Sequence, residues 1–114
     1  MKHDPMSFLP LTEATFLILA SLASPKHGYA IMQEVSALSG GAQKLGPGTL
    51  YGALTKLLDQ ELIRRTGESS GEDERRKHYV LTALGRRVVE CECARMQSLS
   101  ELGRKALAAK GEAQ

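Results

Sequence analysis

Tryptophan is absent from the 114 residues, and the other aromatics amount to three Tyr and two Phe. A core must then come from Leu, Ile, Val and Ala, which suits packed helices and disfavours an all-β fold. Cysteine is scarce as well. Only Cys91 and Cys93 occur, and two positions apart on a helix they diverge by about 200°, so an internal disulfide is disfavoured. A reducing, cytoplasmic location is expected on that ground. No sign of charge dominates: 15 Lys and Arg stand against 13 Asp and Glu, a formal net charge of +2. Bulk charge does not select nucleic acid as a partner, so the distribution of charge has to. Long apolar runs are missing too. Residues 16–23 fall far short of the roughly 20 needed to cross a bilayer. The polar residues His3, Asp4 and Glu13 upstream, and a helix cap at Thr12, argue against a secretory signal. No membrane partner is expected.

Signatures of catalysis are lacking. No nucleophile neighbours a base, no paired carboxylates sit in an apolar setting, and no Gly-rich loop joins a strand to a helix. The sequence reads as a non-enzyme without a cofactor, and its length allows one compact domain with an appendage.

What is present is helical periodicity. Leu11, Ala14, Thr15, Ile18, Leu19 and Leu22 recur at helical spacing after the Thr12 cap, with Ser24-Pro25 as a stop. Nearly every position of residues 16–22 is apolar, which predicts a helix covered on more than one side, partly by another chain. Ala30, Ile31, Val35 and Leu38 predict a short second helix ending at Ser39-Gly40-Gly41. A polar connector carrying Lys44 leads to Gly46-Pro47-Gly48-Thr49, the start of a third helix whose apolar side is Leu50, Leu54, Leu57 and Leu58. Residues 62–66 and 77–81 predict two strands of a hairpin. Thr82 caps a last helix over about residues 83–108, about 39 Å long. That exceeds what the body can cover, so its far half calls for a partner, most economically a second copy. The order helix, helix, helix, strand, strand, long helix predicts a mainly α fold with a small β-hairpin wing. Residues 1–82 form a winged helix-turn-helix domain, residues 83–110 a dimerisation helix, and residues 111–114 a disordered tail.

The third helix leaves Thr49, Tyr51, Gly52, Thr55, Lys56 and Asp59 off its apolar side. The major groove of DNA admits one helix; hydroxyls there bond phosphate or base edges and Lys neutralises phosphate. Gly48 and Gly52 carry no side chain to hold the helix away, and its N-terminus suits a phosphate. A solvated amphipathic face would look the same. The hairpin adds cations: Arg64 and Arg65 on one strand, with Arg75, Arg76, Lys77 and His78 entering the other, as a wing tracking phosphates requires. Glu68, Glu72, Asp73 and Glu74 at its tip oppose them.

The segments His27-Gly28-Tyr29, Gly46-Pro47-Gly48-Thr49-Leu50-Tyr51, residues 54–63, and Arg76-Lys77-His78-Tyr79-Val80-Leu81-Thr82-Ala83-Leu84-Gly85 together resemble the PadR family of bacterial transcriptional regulators. The likeness spans about residues 11–89. It implies a winged helix with a C-terminal dimerisation helix, of the subgroup with a minimal C-terminal part, that represses genes until a small effector binds. By the same resemblance Tyr29 is a phosphate or packing contact, Thr49 and Tyr51 are recognition-helix contacts, and Lys77 and Tyr79 belong to the wing. The chain departs from the family at Gly52, where Pro is common, and at Glu61, where Gly is common.

The expected partners are double-stranded operator DNA, a second copy of the chain, and a small-molecule effector. The dimer and effector surfaces are expected on the first and last helices, at Phe16, Leu19, Met96, Leu99 and Leu102. A winged-helix module that binds protein or ligand without reading DNA is the alternative, favoured by the acidic wing tip. Glu90-Cys91-Glu92-Cys93 is poorly spaced for a metal. Cys91 continues the apolar stripe, and Cys93 leaves an intersubunit thiol switch open.

Overall fold

Thr12 opens the first helix as its sequence position predicts: its hydroxyl accepts the Thr15 amide N–H at 3.1 Å, satisfying one of the donors a helix start leaves orphaned. In the computed structural model, which describes residues 4–67 and 77–111, α1 spans Glu13–Ser21 and is preceded by a 3-10 turn at Pro5–Phe8. The helix stops short of Ser24-Pro25 because Lys26 folds back over its end, donating to the Ser21 carbonyl at 2.7 Å and to Ser24 Oγ at 2.9 Å. A cation on the carbonyl end is favourable for the helix dipole.

Helix α2, Gly28–Leu38, is capped by His27, whose Nδ1 accepts the Ala30 N–H. It closes on Gly40 at φ 64°. The Gly41 N–H reaches the Ser36 carbonyl and the Gly40 N–H the Ala37 carbonyl, a paired closure that requires one left-handed residue. Helix α3, Pro47–Asp59, starts on a proline whose missing N–H costs nothing there. It closes in the same paired way, Leu62 N–H to Leu57 carbonyl and Glu61 N–H to Leu58 carbonyl, but the left-handed residue is Glu61, at φ 63°.

The expected hairpin is part of a larger sheet. Strand β1, Lys26–His27, joins β2, Ile63–Thr66, and β3, His78–Leu81, in the antiparallel order β1-β3-β2. Lys26 faces Tyr79 and His27 faces His78. Residues 68–76, which hold Arg75, Arg76 and the acidic tip, lie outside the described residues, as do residues 112–114 of the expected tail.

Helix α4, Ala83–Gly111, begins at a junction that ties it to the end of α3. Thr82 Oγ1 accepts the Gly85 N–H at 2.9 Å and donates to the Glu61 carbonyl at 2.8 Å, while the Thr82 N–H donates to the Leu62 carbonyl. Gly85 is packed on the same spot: a Cβ there would run into the Leu62 carbonyl oxygen, so Gly is the residue that lets the two helices meet.

The core gathers one side of each helix: Ile18, Leu19 and Leu22 of α1 and its cap, Ile31 and Val35 of α2, Leu50, Leu54 and Leu57 of α3, Val88 of α4. Two expectations are corrected here. Leu19 is fully buried inside one protomer, because α1 packs on both α2 and α4, so it is a core residue and not a dimer or effector contact. Tyr79 is 3% exposed and belongs to the same cluster. Its strand parity turns it inward with Ile63 and Leu81, so its side chain does not serve as a wing contact.

Candidate nucleic-acid interface

At about 100° per residue, α3 divides cleanly. Its buried side is Leu50, Leu54 and Leu57, while Gly48, Thr49, Gly52, Thr55, Lys56 and Asp59 are all exposed. Tyr51 and Thr49, about 160° apart around the axis, mark the two edges of this polar arc, with Lys56 about 20° inside the second. Tyr51 is half-buried, and its ring end lies where a Cβ on Gly28 would be. The glycine of His27-Gly28-Tyr29 therefore sets where Tyr51 lies. Thr55 differs from the sequence expectation: its hydroxyl donates to the Tyr51 carbonyl at 2.9 Å, so outward it offers a methyl group and an acceptor in place of a donor.

Among the described residues, apart from chain neighbours and the helix's own backbone, no atom lies within 4 Å of a Cβ built on Gly48 or Gly52. Glycine inside an exposed helix costs about 1 kcal/mol relative to alanine, and packing within the protomer gives no return for it.

Beside the start of α3, Tyr29 projects from the first turn of α2 and is 62% exposed. With His27, Met32, Pro47 and Tyr51 it lines a mostly apolar depression of about 430 Å³. The structure thus brings Tyr29 and Tyr51 together across the α2–α3 notch, and Lys44 stands exposed on the connector that leads to it. In the sheet, Arg64 and Arg65 are both exposed. As neighbours on β2 they leave by opposite faces, Arg64 on the side of Val80 and Arg65 on the side of Tyr79. Lys77 and His78 are half-buried, and the His78 ring meets His27 edge to face at 5.6 Å.

Glu92, read in the sequence only as part of an acidic and cysteine-containing run, turns out to be 1% exposed. Its carboxylate accepts the Leu11 N–H at 3.0 Å and two guanidinium bonds from Arg95 at 2.6 and 2.8 Å. These hydrogen bonds, Arg95 first, hold the Glu92 carboxyl below the usual carboxylate range against the opposing effect of burial. The group ties the N-terminal segment to α4. A pairing three residues apart, Glu92 with Arg95, was the one sequence signal for it. Beyond it Met96, Leu99, Leu102 and Leu107 are exposed on α4. Phe16 on α1 is half-buried, as is Cys91, while Cys93 is exposed. No described helix is long and apolar enough to cross a membrane.

Three helices, a small three-stranded sheet with β2 and β3 as its wing, and a long C-terminal helix define a winged helix-turn-helix protein. The sequence model of the Transcriptional regulator PadR-like family matches residues 17–91, and the chain belongs to that family, whose members are regulators and not enzymes. An uncharacterised 37.1 kDa protein in transposon TN4556 of Streptomyces fradiae is 40% identical over 89 residues. The match covers 77% of this chain and 24% of that protein, so the chain spans about a quarter of that relative's length. A PadR family transcription regulator from Clostridium difficile R20291 superposes with a TM-score of 0.67 at 25% identity, covering 82% of this chain and 97% of that one. The PadR of Bacillus subtilis in complex with operator DNA gives a TM-score of 0.57 at 25% identity, over 71% of this chain and 46% of that one.

Proposed function

We propose that this chain is a homodimeric repressor that binds double-stranded operator DNA through α3 and the β2–β3 wing, and releases it in response to a small effector. The observation that carries the reading is the polar arc of α3, open at Gly48 and Gly52 and flanked by Tyr29 and Tyr51. Asp59 shares the arc two to three turns further on, where it would repel phosphate, so DNA contact belongs to the first turns of the helix. There the N-terminal N–H groups and Thr49 face outward. The operator complex of the Bacillus relative supports the same use of the fold. Exposed Met96, Leu99 and Leu102 supply a surface for the second copy, with one α3 per half-site, about 34 Å apart on a two-fold symmetric site.

The test is binding to the DNA just upstream of the chain's own gene, followed by fluorescence anisotropy at several salt concentrations. Phosphate contacts make the affinity fall steeply, with a slope of about 0.9 in log K against log salt for each contact. Tyr29→Ala and Arg64→Ala remove exposed groups and weaken binding with the thermal melt unchanged. Binding that ignores salt, or is unaltered in both variants, would return the chain to the alternative of a module that recognises protein.

A further inference from the structure

Three hydroxyl groups belong to the polar arc of α3, and two of them are turned inward. The Tyr51 hydroxyl lies against Gly28 at the start of α2, and the Thr55 hydroxyl donates to the Tyr51 carbonyl at 2.9 Å. Toward the outside these two residues leave ring carbons and a methyl group. The third, Thr49, sits in the first turn beside the N–H groups that suit a phosphate. Pro47, Tyr51 and Thr55 follow at intervals of four and so form one ridge along the helix; Pro47 and Thr55 are exposed and Tyr51 is half-buried. On one side the ridge runs into the apolar depression that Tyr51 and Pro47 share with Tyr29 and Met32. On the other lies the parallel row of Gly48 and Gly52. From Pro47 to Thr55 the sequence holds no Arg, Lys, Asn, Gln, Asp or Glu, so the residues that pair with guanine, adenine or cytosine edges in the major groove are missing there. Lys56, the one cation of α3, stands about 100° around the axis from Thr55, away from the ridge.

We infer that this chain selects its operator through thymine methyl groups, received by the ridge of Pro47, Tyr51 and Thr55 and the glycine row beside it, and not through hydrogen bonds to guanine. The inference rests on the reading of α3 as the DNA-contacting helix. Of the base edges in the major groove, only that of thymine carries an apolar group, its C5 methyl. An apolar ridge gains by covering that methyl, whereas guanine O6 and N7 lose water against the same ridge and find no donor in return. The Thr55 oxygen still accepts, but the amino groups of adenine and cytosine serve it alike. The methyl is therefore what separates an A·T pair from a G·C pair on this surface.

The full chain is first used to enrich duplexes from a random-sequence pool. The enriched duplex is then made in two forms, with thymidine or with deoxyuridine, which differ only in that methyl. Fluorescence anisotropy is expected to show the deoxyuridine form bound more weakly, by about fourfold for each covered methyl and about fifteenfold for one in each of two half-sites. Thr55→Ser drops the methyl and keeps the hydroxyl with its bond to Tyr51, and it lowers this ratio by about twofold or more. Thr55→Val keeps a methyl and drops the hydroxyl, and it preserves the ratio. Equal binding of the two forms with a steep salt dependence overturns the methyl readout and leaves the proposed function standing. Salt-dependent binding without enrichment of any sequence does the same, as does a ratio that Thr55→Ser leaves intact or Thr55→Val abolishes. A chain that binds no duplex in a salt-dependent way overturns the proposed function and this inference with it.

Discussion

Glu61 holds a conformation for which its side chain is ill suited. A left-handed non-glycine residue costs about 1–2 kcal/mol, yet the paired closure of α3 demands one there. Glu61→Gly is accordingly expected to raise stability by about 1 kcal/mol and the melting midpoint by about 4 °C or more, read by circular dichroism. A lower midpoint would show that the Glu61 side chain contributes something its exposed position does not reveal. Glu92 acts in the opposite sense, adding stability through its charge. Because its folded pKa lies below the unfolded value, its contribution is complete above the ordinary Glu range near 4.3 and is lost as pH falls through the lower folded value. Chemical denaturation across pH 3 to 7 should show wild type losing stability on acidification, with Glu92→Gln less stable by roughly 1–3 kcal/mol at neutral pH and flatter in its acid response. Parallel curves would sink this assignment. The departure at Glu61 was visible through the family resemblance, which implies Gly at that turn. The burial of Glu92 was not, since a carboxylate amid Cys and Glu reads as surface until the N-terminal segment folds over it.

The elements show where periodicity informs and where it does not. The stripes of α2 and α3 mark one apolar side each, and the core residues Ile31, Val35, Leu50, Leu54 and Leu57 sit where those stripes predict. Leu38 fell on the same stripe of α2 but is exposed at the helix end, past the body it would pack on. Residues 16–22 of α1 are apolar almost throughout, so no stripe separates buried Leu19 from half-buried Phe16; the packing of α2 and α4 decides it. Strand β1 is two residues long, too short for any alternation to be read, and is defined only by its partner β3. In the wing, the adjacent arginines read as a single basic cluster, but strand geometry sends Arg64 and Arg65 to opposite faces. Gly52 offers a test of α3 as an element. Gly52→Ala should stabilise the fold by about 0.5–1 kcal/mol while weakening DNA binding, because in the proposed complex the added methyl would stand in the path of the duplex. Melting and anisotropy on the same sample separate the two effects, and unchanged affinity would remove the reason offered for that glycine.

At the scale of the whole molecule the long axis is 65 Å against 34 and 20 Å for the others, and the far half of α4 runs clear of the body with Leu99, Leu102 and Leu107 in solvent. Leu102, 61% exposed, contributes little to the protomer's own core. Leu102→Glu should leave the protomer folded, convert a dimer to monomers in sedimentation velocity, and lower operator affinity by losing the second half-site contact. A variant that still sediments as a dimer would move the interface elsewhere on the chain.

The junction at Thr82, where the end of α3 and the start of α4 share hydrogen bonds around Glu61 and Leu62 with Gly85 pressed against them, makes a crank of the two helices. Over the 29 residues of α4, an arm of about 43 Å, a pivot of about 5° at one end sweeps the other through about 4 Å, close to the 3.4 Å rise of one base-pair step. In the dimer proposed above, small changes in how two such arms lean together would be geared into whole steps along the double helix, and the angle between the arms would set the spacing of the two α3 helices.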